Sequence, residues 1–147
     1  MNEAALQRLI DESELKNLVL ALTRALDERE FGALPALYTD DGAIELGGRV
    51  HRGRQAIIDA PEHFLGANYE ATYHHVGQIH VDIDGDEAKL SAYVVAYHLP
   101  NAAEPMRHQD GGGKINADAR RTGDGWRFTN VRLDVVFLQG EPLSIDV

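Results

Sequence analysis

Two adjacent histidines, His74 and His75, open the segment Tyr73-His74-His75-Val76-Gly77-Gln78 and are the residues best suited to move a proton. An imidazole titrates at about 6.5, so near neutrality it can act first as a base and then as an acid. It needs a partner that fixes its tautomer and stabilises the imidazolium, and Asp27 is the carboxylate singled out for this. Neighbouring side chains on a strand point to opposite faces. One histidine can therefore face a cavity while the other faces solvent or an interface. Such a pair suits a carbon-bound proton next to a carbonyl or beta to a leaving group. The reactions within reach are dehydration, elimination, isomerisation and aldol-type cyclisation, none of which needs a cofactor. Polar side chains from other strands would polarise the carbonyl or leaving group. The candidates are Tyr93 or Tyr97, His98, and Arg120 or Arg121.

The elements that must position these groups follow from periodicity. Residues 3–10 read as a short helix, and Asp11 reads as an N-cap with Glu14 as its capping-box partner. From Glu12 to Glu28, Leu15, Leu18, Val19, Leu22 and Leu26 form an apolar helical stripe, with Asp27 at its end and at the edge of the buried face. A third short helix over 31–37 is limited by Pro35. Tyr38 to Gly42 reads as a turn, Ala43 to Leu46 as a short strand, and Gly47-Gly48 as the turn into Arg49-Val50-His51. Residues 53–65 read as a helix interrupted by Pro61.

After Tyr69 the period changes to two. Thr72 to Ile83 is a strand bulged near Gly77, and Asp84-Gly85-Asp86 is a hairpin turn into a return strand, Ala88 to Leu99. Residues 100–112 read as a mobile polar loop with the glycines Gly111 to Gly113 at its end. Strands follow over 114–121 and 126–138, joined at Gly123-Asp124-Gly125. In the last, Val131, Leu133, Val135 and Phe137 are expected on one face. The segment 140–147 is a tail. Helices first and hairpin-linked strands after imply an α+β fold, with helices packed on a curved, mostly antiparallel sheet.

Length and charge narrow the function classes. The 147 residues suit one domain spanning 1–147. The net charge of −10 repels phosphate backbones and anionic lipids, so neither nucleic acid nor membrane is an expected partner. The absence of cysteine removes disulfides and thiolate chemistry. His74, His75 and His80 are not at ligand spacing on one face, so no metal is expected. The N-terminus lacks the basic start and apolar stretch of a signal peptide, which makes the cytoplasm the expected location. His51 and His80 read as surface residues.

The order of several short motifs resembles the SnoaL-like group of the nuclear-transport-factor-2-like superfamily, whose fold is a cone-shaped α+β barrel. The motifs are Arg24-Ala25-Leu26-Asp27, Leu37-Tyr38-Thr39-Asp40-Asp41-Gly42, Gly53-Arg54-Gln55-Ala56-Ile57, His74-His75-Val76-Gly77-Gln78, Val81-Asp82-Ile83-Asp84-Gly85-Asp86 and Arg121-Thr122-Gly123-Asp124-Gly125-Trp126. Scytalone dehydratase and lindane dehydrochlorinase of that superfamily use an Asp–His pair inside the cone. The resemblance carries those roles to Asp27 and to His74, which fits their His-x-x-Gly pattern better than His75 does.

The resemblance also implies a homodimer. The implied substrate is a small hydrophobic carbonyl or hydroxylated ring compound, contacted by Tyr38, Leu46, Tyr93, His98 and Arg121. Leu26 and Leu46 stand where scytalone dehydratase has tyrosines, which implies a more apolar pocket. Ketosteroid isomerase carries its base at the position of Leu46 and a tyrosine near Leu22, so that mechanism is not implied. The alternative is a non-catalytic module of the same fold that binds a small ligand or dimerises. In it, Asp27 is a helix-terminal carboxylate in water and His74 is satisfied by backbone.

Overall fold

The computed structural model describes residues 2–143, and the end of the expected tail, 144–147, lies outside the described residues. The N-terminal segment forms one long helix, α1 (Glu3–Asp27), rather than two. Asn2 caps it by accepting the Ala5 N–H at 2.8 Å. Asp11 is not a cap. It lies inside the helix, buried, and accepts hydrogen bonds from Arg121 and from the indole of Trp126. Leu15, Leu18, Val19 and Leu22 form the buried stripe. Each such leucine contributes about 1.5–3 kcal/mol by leaving water, so the stripe fixes the helix against the sheet. Leu26 and Asp27 end the stripe half-buried. The chain leaves α1 through Arg29, which has φ 59°, and the Glu30 N–H returns to the Ala25 carbonyl.

A 3₁₀ helix (Phe31–Leu37) follows, then β1 (Tyr38–Leu46), β2 (Arg49–Arg52), α2 (Arg54–Pro61) and a π-helical turn (Glu62–Gly66). The remaining strands are β3 (Ala71–Asp84), β4 (Glu87–Leu99), β5 (Gln109–Thr122) and β6 (Gly125–Gly140). The helices pack on one curled sheet of order β2-β1-β6-β5-β4-β3, antiparallel except where β1 pairs with β6. This is the α+β arrangement expected from the order of the elements, and its curled sheet agrees with the cone that the resemblance implies.

Three further expectations are corrected. Residues 38–42 form the first part of β1, not a turn. Tyr38 pairs with Phe128, and the register shift before Ala43 absorbs the Asp-Asp-Gly sequence as a bulge. Gly111 to Gly113 lie inside β5, not in a loop. Their role is close approach: a Cβ on Gly112 would collide with the Phe137 ring, and one on Gly113 with the Asp134 carbonyl. The shorter connection that remains is tied down by Ala102 N–H to Glu70 and by Arg107 to Glu104 and Glu141. Finally, the same region of β5–β6 shifts register at Gly112/Gly113, which turns Phe137 away from the face shared by Val131 and Leu133.

Candidate active site

Strand parity decides which histidine points inward. Gln78 has φ 48°, and the register of β3 against β4 shifts between Gly77 and His80. Before this bulge the inward residues are Thr72, His74 and Val76, and after it they are Ile79, Val81 and Ile83. The extra residue lets both halves of β3 face α1 although their numbering changes parity. His75 consequently points outward and is exposed.

Asp27, at the last turn of α1, meets His74 there. Its Oδ1 lies 2.6 Å from His74 Nδ1, and its Oδ2 accepts the His74 backbone N–H at 2.9 Å. The Thr72 hydroxyl donates to Oδ1 at 2.9 Å. A carboxylate only accepts, so Nδ1 carries the proton and Nε2 presents its lone pair. Among the described residues Nε2 has no protein partner, and it is not sealed off. Burial pushes the Asp27 carboxyl up. The His74 ring and N–H, the His74 charge and the Thr72 hydroxyl together outweigh that and hold it below its ordinary value of 3.8. The pair is thus a tautomer-fixed imidazole on an ionised carboxylate, the arrangement a general base requires.

His98 comes to the same place from β4. Its ring stands edge-on to that of His74, with centroids 6.0 Å apart. Its Nδ1 donates to the Gln109 carbonyl at 2.7 Å, and the Tyr69 hydroxyl donates to the Gln109 side chain at 2.7 Å. Burial, ahead of the opposing Gln109 bond, lowers the His98 pKa from 6.5 and favours the neutral ring. On β1, Tyr38 is buried against Phe128, its hydroxyl without a partner among the described residues, and Leu46 packs on the core edge.

Three expected site residues lie elsewhere. Tyr93 and Tyr97 project from the opposite face of β4 to His98 and are exposed, and Lys114 covers the Tyr93 ring. Arg121 is held by Asp11 and Asp86 and stacks on Trp126. On the β4 ladder Arg120 pairs with Glu87 and His74 with Ala96, so nine residues, about 30 Å of strand, separate Arg121's neighbourhood from the dyad. Thr72, Gln109 and Tyr69 were missed. Thr72 carried a signal, because it lies two residues before His74 and so shares its face. Gln109 and Tyr69 act through contacts about 40 residues apart that no local pattern reveals.

Helices packed over one curled, mostly antiparallel sheet define the nuclear-transport-factor-2-like, cystatin-like fold seen among its structural neighbours. Within it, the SnoaL-like domain matches residues 7–132, and the chain belongs to that family. No curated protein matches the chain significantly.

Solved structures with the same fold include the Kfla4162 protein of Kribbella flavida, 26% identical, TM-score 0.80, covering 90% of this chain and 95% of that one. A protein named after scytalone dehydratase from Novosphingobium aromaticivorans is 19% identical, TM-score 0.78, covering 95% and 97%. A hexachlorocyclohexane dehydrochlorinase, LinA type 2, is 16% identical, TM-score 0.83, covering 97% of each chain. No helix of the described residues is long and apolar enough to cross a membrane.

Proposed function

We propose that this chain is a dehydratase-like lyase or isomerase acting on a small hydrophobic carbonyl or hydroxylated ring compound without a cofactor. The observation that carries the reading is the Asp27–His74 hydrogen bond, which leaves His74 Nε2 open. In a dehydration, Nε2 takes the proton from the carbon next to the carbonyl. The C–H electron pair forms the double bond, and the C–O bond to the hydroxyl breaks. The imidazolium returns its proton to the departing oxygen as water, and Asp27 stabilises that imidazolium meanwhile. His98, a neutral ring beside His74, and the buried Tyr38 hydroxyl are assigned to the substrate's polar atoms, and Leu46 to its apolar body. The solved structures named for a dehydratase and a dehydrochlorinase support this class of reaction.

The test measures proton abstraction itself. A panel of cyclic ketones and β-hydroxy cyclic ketones is incubated in D2O, and NMR follows deuterium entry at the α-carbon together with water loss. Wild type accelerates one or both for at least one member, and His74→Gln abolishes the acceleration. Equal rates with wild type and His74→Gln across the panel would sink the reading.

A cytoplasmic homodimer paired through the outer sheet face belongs to the same proposal. The exposed Tyr73, Tyr93 and Tyr97 support it. Sedimentation of wild type against a Tyr93→Glu/Tyr97→Glu double variant tests it, the expected result being a dimer that becomes monomeric.

A further inference from the structure

The sheet begins and ends with a histidine on its concave face. β2 and β3 are its two edges. β3 contributes His74. On β2, His51 pairs directly with Ile44 of β1. Directly opposed residues of an antiparallel pair share a face, and Ile44 belongs to the core. His51 is therefore a half-buried, inward residue rather than the surface histidine its sequence context suggests.

Its Nε2 is enclosed yet has no hydrogen-bond partner among the described residues. An enclosed imidazole nitrogen without a partner is destabilising, and native proteins seldom tolerate one without a use for it. The surroundings are apolar. The Phe64 ring meets His51 edge-on at 6.1 Å, and Leu46 lies two residues from Ile44 on the same face of β1. Phe64 rides on the π-helical turn Glu62–Gly66, in which no residue is buried. Its ring can therefore swing aside without disturbing the core.

We infer that His51 is a specificity-determining contact of the site, and that Nε2 hydrogen-bonds an oxygen at the end of the substrate remote from His74. This rests on the acid–base reading above and narrows its substrate class. The preferred compound is a flat apolar ring with a carbonyl and its acidic carbon at one end and a hydroxyl at the other. Phe64 and Leu46 pack on the ring between them, and each pole meets one histidine Nε2.

A matched pair of probes tests this: 4-hydroxyacetophenone and acetophenone, which differ only in the distal hydroxyl. Each is titrated into ¹⁵N-labelled protein while the His74 ring signals are followed. Both should perturb His74, with the hydroxylated ketone binding at least about tenfold tighter. His51→Leu should bring the two affinities together, and His51→Gln should restore part of the preference. Thermal melts of both variants establish that they fold. A preference that survives in His51→Leu overturns the assignment, as does its absence in wild type, the result expected if only an enclosed water serves Nε2. If neither ketone perturbs His74, the acid–base reading fails and this inference fails with it.

Discussion

Asp27 binds His74 twice, taking the ring Nδ1–H at 2.6 Å and the backbone N–H at 2.9 Å. The two bonds couple the end of α1 to β3, so the ring cannot rotate without breaking contacts that also hold the fold. Asp27→Asn removes the anion while keeping the shape. The amide can place an N–H towards Nδ1, which favours the opposite tautomer. ¹⁵N spectra of the histidine rings should show His74 passing from the Nδ1–H to the Nε2–H form, with exposed His75 unchanged. Any α-proton exchange found for wild type should fall by about 10²–10⁴-fold.

Thr72 supports the same carboxylate from two residues earlier on β3. Removing one hydrogen bond to a charged group costs about 1.5–3 kcal/mol when fully buried and less at this half-exposed site. The sign with pH follows from the depressed Asp27 pKa. The unfolded chain takes up that proton first, so the contribution is complete above about pH 4 and is lost as pH falls through the lower folded value. Thr72→Val should therefore weaken the protein at neutral pH and flatten its acid dependence. Urea melts between pH 7 and pH 3 measure both.

Much of this site follows from local rules. The apolar stripe of α1 ends at Asp27, and strand alternation separates His74 from His75. The same alternation also contradicts one expectation. Tyr93 and His98 are five residues apart on an unbroken strand and cannot both face inward. Arg121 fits a site role by residue type alone, and type says nothing about where along a strand a residue lies. The inward turn of His51 depends on its pairing with Ile44, and the burial of Asp11 depends on Arg121 and Trp126, 110 and 115 residues away. Such long-range partners override a local capping signal because the Arg121 guanidinium holds both oxygens of the same carboxylate in a bidentate ion pair.

The glycines of β5 give a prediction that separates packing from backbone approach. The atom opposing a Gly112 Cβ belongs to the Phe137 side chain, which is partly exposed and can rotate away. The atom opposing a Gly113 Cβ is the Asp134 carbonyl, which is fixed in the ladder. Gly113→Ala should therefore destabilise the protein more than Gly112→Ala, by a margin of about 1–3 kcal/mol. Thermal melts of the two variants check the order, and the reverse order would mean that Phe137, not the bulge, anchors this end of β6.

Asp11 tests whether stability and chemistry are separable in this fold. Its carboxylate receives Arg121 at 2.6 and 2.9 Å and the Trp126 indole at 3.0 Å, while Arg121 also binds Asp86. The bond from Arg121 leads, burial opposes it, and the bonds from Trp126 and Gln7 add to it, which together hold the Asp11 carboxyl far below its usual range. Asp11→Ala would leave an indole N–H buried and a guanidinium short of its main partner. A loss of about 3 kcal/mol is expected, towards the low end for a broken buried pair because Arg121 is one-third exposed. Asp11→Asn should cost less, since the amide oxygen can still accept from Trp126. The depressed pKa makes the wild-type contribution complete above about pH 4 and lost as pH falls towards the folded value, so the gap between wild type and Asp11→Ala should narrow in strong acid. Because this network lies at the other end of the β4–β5 ladder from His74, the ¹⁵N ring signals of His74 should be the same in folded Asp11→Ala as in wild type. A shifted His74 spectrum would mean that the pitch of α1, set at Asp11, is transmitted along the helix to Asp27.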